Sequence, residues 1–133
     1  MTPAPGCRKI PPKRILIVED EPLVAHTLRL LLAADGHTLE IAGNGEQGLA
    51  MFEAAQPDLV ITDFKMPKMD GLELAEAIKR RSPATPVILL TAYVEAIERR
   101  MGKVSHVDFL IGKPFSAAQL REGLNAVFPQ AAG

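Results

Sequence analysis

Unbroken apolar runs in this chain alternate with stretches where apolar positions recur every three or four residues. Ile15-Leu16-Ile17-Val18 is continuous, as a strand covered on both faces requires, and ends on Glu19-Asp20-Glu21. Pro22 suits the first turn of a helix in which Val24, Leu28 and Leu31 recur at i, i+4, i+7, with a stop at Gly36. Leu39-Glu40-Ile41-Ala42 alternates instead, which predicts an edge strand with one wetter face. Asn44-Gly45-Glu46-Gln47 has the form of a capping box, and the helix it opens turns Leu49 and Phe52 inward before Pro57.

Residues 58–62 predict a central strand, and Asp70-Gly71-Leu72-Glu73 caps a helix carrying Leu74 and Ile78 to Ser82-Pro83. Residues 86–90 are a fourth apolar strand ending at Thr91. Val94, Ile97, Met101 and Val104 then form the stripe of a short, weakly capped helix. Residues 107–111 predict a fifth strand whose polar interruption, Asp108, an edge position tolerates. Ser116 to Gln119 caps a last helix with Leu120, Leu124 and Val127 on its core face. Five strand-then-helix repeats call for a parallel sheet with helices on both faces, joined by right-handed crossovers.

Composition narrows this picture in three places. The 133 residues suit one domain at 14–128, with a flexible proline-rich leader at 1–13 and a short tail at 129–133. A net charge of −1 speaks against direct binding of nucleic acid or an anionic membrane surface. Cys7 is the only cysteine, and no apolar run approaches a membrane span, so the expected compartment is the cytoplasm.

In a parallel sheet the strand ends share one rim. Glu19 and Asp20 after strand 1, Asp63 after strand 3, Thr91 after strand 4 and Lys113 after strand 5 therefore converge. Crowded carboxylates resist ionising together unless a cation holds them, and Mg²⁺ does this with one or two carboxylates plus water and phosphate oxygens. A carboxylate becomes a competent nucleophile for a phosphoryl group when that group is positioned and its charge neutralised. Asp63 is the candidate nucleophile, with Thr91 and Lys113 beside the incoming charge.

Val18-Glu19-Asp20-Glu21-Pro22, Asp63-x-x-Met66-Pro67-x-Met69-Asp70-Gly71, Thr91-Ala92 and Lys113-Pro114-Phe115 together resemble the receiver domain of two-component response regulators, in its chemotaxis-regulator-like, single-domain form. The resemblance implies a flavodoxin-like (βα)5 fold with strand order 2-1-3-4-5. It implies that Asp63 accepts a phosphoryl group from a histidine kinase or phosphotransfer protein. Asp20, Asp63 and the backbone carbonyl of Lys65 would bind Mg²⁺ directly, with Glu19 acting through water. Thr91 and Lys113 would contact the phosphoryl group, and the Lys113–Pro114 peptide would be cis. Lys65 and Tyr93 would flank the water path and tune the lifetime of the acyl phosphate. Such a protein is a phosphorylation-controlled interaction switch, monomeric or dimerising on phosphorylation. It hydrolyses its own phosphate and turns over no separate substrate. The alternative is a pseudo-receiver that docks partners without phosphorylation.

One position departs from the family. Many receivers carry an aromatic three residues before the lysine, whereas here Leu110 stands there with Phe109 beside it. Either the register slips by one, or the switch works without its ring. Other signals carry less. Gly43-x-Gly45-x-x-Gly48 matches a dinucleotide fingerprint but follows the edge-like strand, not the central first one. A phosphatase of the haloacid dehalogenase type needs a second acid where Lys65 stands. His26, His37 and His106 lack metal-ligand spacing, and the basic clusters at 79–81 and 99–103 complement helix dipoles.

Overall fold

In the computed structural model, which describes residues 10–101 and 106–129, each apolar run becomes a strand and each periodic stretch a helix. The order is β1 (Arg14–Val18), α1 (Pro22–Ala34), β2 (Thr38–Ala42), α2 (Gly45–Ala55), β3 (Leu59–Asp63), α3 (Gly71–Arg81), β4 (Val87–Thr91), α4 (Val94–Met101), β5 (Phe109–Gly112) and α5 (Ala117–Val127). The expectations placed on residues 1–9 with Cys7, on Lys103 and Val104, and on 130–133 lie outside the described residues, as do the side chains of Arg100 and Met101.

The five strands form one parallel sheet in the order β2-β1-β3-β4-β5, the flavodoxin-like arrangement. Alternation along the strands divides the core into two layers. Leu16, Val18, Val60 and Leu89 face α2, α3 and α4, meeting Phe52, Leu74, Ile78 and Ile97. Ile15, Ile17, Leu59, Ile61 and Ile88 face α1 and α5, meeting Leu28, Leu32, Leu120 and Leu124. Each buried Leu or Ile contributes about 1.5–3 kcal/mol, against about 1 kcal/mol for a helix cap. Packing decides that the helices form, and caps decide where they begin.

Asp70 with Glu73 and Ser116 with Gln119 make complete capping boxes. The box at α2 is only half formed. Asn44 accepts from the Gln47 amide, but the Gln47 side chain takes the Gly43 amide, one residue earlier than the motif implies. Gly36 ends α1 as expected, at a φ of 94° that side-chain-bearing residues rarely adopt.

Strand ends differ from the sequence reading by a residue or two, and the shifts matter. β3 runs on to include Asp63 and β4 to include Thr91, so both side chains sit on paired strand backbone. β5 starts later, at Phe109. Asp108 is therefore not a tolerated edge polar residue. Its carboxylate accepts from the Val87 amide at 2.8 Å and pairs with Lys79 at 2.7 Å, pinning the starts of β4 and β5 together.

The last residues of the expected flexible leader, 10–13, are packed. Ile10 is buried in the α1/α5 layer, and the Lys13 ammonium lies 4.6 Å from the centre of the Phe128 ring. The Lys13 amide donates to His37 Nδ1 at 2.9 Å, and its carbonyl accepts from Thr38. Burial lowers the pKa of His37 and the Lys13 charge adds to this, with Asp35 opposing. The folded protein thus binds fewer protons at His37 than the unfolded chain does. Stability from this site is present above about pH 6.5 and is lost as pH falls. Denaturant midpoints at pH 7.5 and 5.5 should show wild type losing more stability than His37→Gln, by no more than about 1.4 kcal/mol per pH unit. Equal losses would mean that His37 binds protons alike in the folded and unfolded states.

Candidate functional site

The site is built at the carboxyl ends of β1, β3, β4 and β5. Asp63 closes β3, paired in register with Leu90 of β4 and buried except for 7% of its surface. The chain then leaves through Phe64 to Met69 and returns at Gly71, whose amide donates to the Phe64 carbonyl at 2.8 Å. Gly71 lies so close that a Cβ there would stand 2.4 Å from the Asp63 carbonyl oxygen and 2.5 Å from Leu89. Only glycine fits between the end of β3 and the start of α3.

Lys113 holds the acids together. Its ammonium is 2.7 Å from Asp63 Oδ1 and 3.4 Å from Glu19 Oε1, while the other Glu19 oxygen accepts from the Glu21 amide at 3.2 Å. Glu19 thereby also serves the first turn of α1, where Glu21 makes no side-chain cap. The Lys113 amide donates to the Thr91 carbonyl, and the Lys113–Pro114 peptide is cis, as the resemblance implies. Thr91 Oγ1 accepts from the Tyr93 amide at 2.9 Å, which keeps the hydroxyl proton for an acceptor in the cleft.

One carboxylate oxygen each from Glu19, Asp20 and Asp63 lies within 4.8 Å of the others. Burial pushes the Glu19 carboxyl up to about 7, helped by the Asp63 charge and a hydrogen bond with Asp20, against the Glu21 amide and Lys113. Burial also works against the charge on Lys113. The hydrogen bond to Asp63 and the charges of Asp63 and Glu19 outweigh it, so its pKa is raised. One lysine thus faces three carboxyl groups. Three converging hard oxygens suit a hard divalent cation.

The acids open onto a cleft of about 660 Å³ lined by Asp20, Asp63, Lys65, Thr91, Tyr93 and Lys113. The Lys65 ammonium stands 5.9 Å from the Tyr93 ring centre, at the entrance. Every residue singled out in the sequence for this site is therefore either at the cleft or, for Glu19, directly behind it. What the sequence did not reveal is the Glu19–Lys113 contact across 94 positions. No local signal encodes it, though a basic residue at the rim beside an acidic pair hints at it.

The register also settles the Leu110 question. Leu110 pairs with Leu89 and packs in the α2/α3/α4 layer, at the usual place of the ring. Phe109 pairs with Ile88 and points the opposite way, into the α1/α5 layer against Gly123. There is no slip.

Comparison with known proteins agrees with this architecture. Residues 15–125 match the family described as the response regulator receiver domain. The chain is similar to the transcriptional regulatory protein TrcR of Mycobacterium tuberculosis, 33% identical over 82% of this chain and 42% of the relative. It is similar to the alkaline phosphatase synthesis regulatory protein PhoP of Bacillus subtilis, 30% identical over 86% and 48%. It spans about half the length of the curated relatives it matches. Among solved structures it resembles chemotaxis protein CheY4 of Vibrio cholerae, with a TM-score of 0.82, 28% identity and coverage of 89% and 100%. It also resembles response regulator TrrA of Thermotoga maritima in complex with Mg²⁺ and BeF, with a TM-score of 0.79, 34% identity and coverage of 87% and 99%. No helix among the described residues is long and apolar enough to cross a membrane. The strand order, the acidic rim with its lysine and the family match over most of the chain lead to one conclusion: this chain belongs to the receiver domain family of two-component response regulators.

Proposed function

We propose that Asp63 is the phosphoacceptor of a phosphorylation-controlled interaction switch, supplied by a histidine kinase or phosphotransfer protein in the cytoplasm. The observation that carries this reading is the pair of contacts made by Lys113, which holds Asp63 at 2.7 Å and Glu19 at 3.4 Å at the mouth of an open cleft. In the transfer, an Asp63 oxygen bonds to phosphorus as the phosphorus–nitrogen bond of the donor histidine breaks, and that nitrogen keeps the electron pair. Lys113 and the Thr91 hydroxyl meet the charge on the transferring oxygens, which is where preorganised donors accelerate phosphoryl transfer most. Asp20, Asp63 and the Lys65 carbonyl would hold Mg²⁺, with Glu19 behind them, and a bound Mg²⁺ supplies further neutralisation of the phosphoryl oxygens. Lys65 and Tyr93 at the entrance restrict water's approach to the acyl phosphate. Its hydrolysis returns Asp63 to the carboxylate, so the protein turns over no separate substrate.

The test is intact-protein mass after incubation with Mg²⁺ and acetyl phosphate. Wild type should gain one base-labile phosphoryl adduct and Asp63→Ala none. An Asp63→Ala protein that still gains the adduct would place the acceptor elsewhere. A wild type that gains none would leave a docking module, which Asp63→Ala would not disturb.

A further inference from the structure

The mechanism above makes no use of one buried polar side chain that touches the phosphoacceptor's own backbone. Thr62 sits on β3 between Val18 of β1 and Leu89 of β4, on the face covered by α2 and α3, with none of its surface exposed. Its neighbours in that layer are apolar, and a β-branched hydrocarbon would suit the position. Instead it carries a hydroxyl, which donates to the Asp63 carbonyl at 2.9 Å. A buried hydroxyl must find a partner, and this one takes the carbonyl at the point where the strand gives way to the loop.

We infer that Thr62 is a positioning residue: its hydroxyl fixes the Asp63–Phe64 peptide and so aims both the Asp63 carboxylate and the start of the loop that carries the Lys65 carbonyl. The inference rests on the phosphoacceptor reading of Asp63. Three contacts act on this short stretch. The Phe64 amide donates to the Leu90 carbonyl at 2.9 Å, and the Phe64 carbonyl accepts from Gly71. The Asp63 carbonyl is the other end of the peptide whose N–H the Leu90 carbonyl holds, with Gly71 so near that a Cβ would stand 2.4 Å from its oxygen. The Thr62 hydroxyl is the side-chain bond on that end. Without it the peptide is held through its N–H alone and can tilt about that bond, and a small tilt moves the carboxylate relative to Lys113. Groups that orient a metal-binding or reacting carboxylate from behind typically matter about 10- to 100-fold in affinity or activity.

Two substitutions separate aiming from packing. Thr62→Val keeps the shape and removes the hydroxyl; Thr62→Ser keeps the hydroxyl and removes a methyl. Both are compared with wild type well below their melting temperatures, by calorimetric titration with Mg²⁺ and by the rate of adduct formation with acetyl phosphate at saturating Mg²⁺. Thr62→Val should be about tenfold worse in at least one of the two, with Thr62→Ser within about twofold of wild type in both. The inference is overturned if Thr62→Val matches wild type in both measurements. It is equally overturned if Thr62→Ser loses as much as Thr62→Val, since the methyl's packing would then be what matters. A wild type that takes no adduct removes the phosphoacceptor reading. The Mg²⁺ titration still decides the aiming of the carboxylate, where equal affinities in wild type and Thr62→Val refute it.

Discussion

Gly71→Ala is expected to lower stability by about 3 kcal/mol or more, the upper end for forcing one methyl into a filled space. The added Cβ would meet the Asp63 carbonyl oxygen at 2.4 Å, Leu89 Cδ1 at 2.5 Å and Phe64 Cα at 3.0 Å. Two of these are backbone atoms, so no side-chain rotation relieves the clash, and Leu89 is fully buried in the α2/α3/α4 layer. Relief requires α3 to back away from β3. That shift would break the Gly71-to-Phe64 hydrogen bond and strain the capping box that Asp70 makes at the same helix end. For a chain of this size the melting temperature should fall by about 10 °C. The check is a urea titration at constant slope. A midpoint within error of wild type would mean that the β3–α3 contact yields at little cost.

Lys113→Met should have the largest effect on chemistry while leaving the fold in place, since the lysine side chain is partly exposed and methionine retains most of its stem. The ammonium is the one side-chain cation paired with Asp63 and Glu19 among the described residues. Removing a donor aimed at developing charge costs roughly 10²–10³ in rate, so the adduct with acetyl phosphate should form at least about 100-fold more slowly. Affinity for Mg²⁺ should move the other way, or hold, because a competing cation has left three converging carboxylates. A wild-type rate of phosphorylation in Lys113→Met would remove Lys113 from the mechanism. Weakened Mg²⁺ binding would mean that the lysine's role is to hold the acids in place.

The directions of these two effects follow from different parts of the chain, and the parts were not equally legible in its sequence. The alternation of apolar runs with helical stripes was enough to place five strands and five helices along the chain, because burial on both faces leaves little choice of residue, while the order of the strands in the sheet came from the family resemblance. Asp63, Thr91 and Lys113 were legible for a related reason, each being the polar residue that ends or follows an apolar run. What stayed hidden depends on contacts distant in sequence or on a one-residue choice. Asp108 reads as a blemish in a strand until Lys79 and the Val87 amide meet it. Ile10 and Lys13 read as a proline-rich leader until His37 and Phe128 hold them. Phe109 and Leu110 could exchange faces if β5 shifted by one residue, and only the pairing with Ile88 and Leu89 assigns them. In the α2 cap, Asn44 and Gln47 were both legible, while the choice of the Gly43 amide depends on a side-chain rotamer.

The contact between Lys13 and Phe128 has an engineering consequence. Lys13 leads into β1 and Phe128 follows α5, so the two ends of the strand–helix array meet at the end of the sheet opposite the acidic rim. A five-residue strand spans roughly 16 Å, which is about the separation between that end and Asp63. A fluorescent reporter fused at either extremity would leave the cleft clear. A short peptide joining the two would give a circularly permuted protein whose new ends lie in a surface turn and whose phosphoacceptor rim is unchanged.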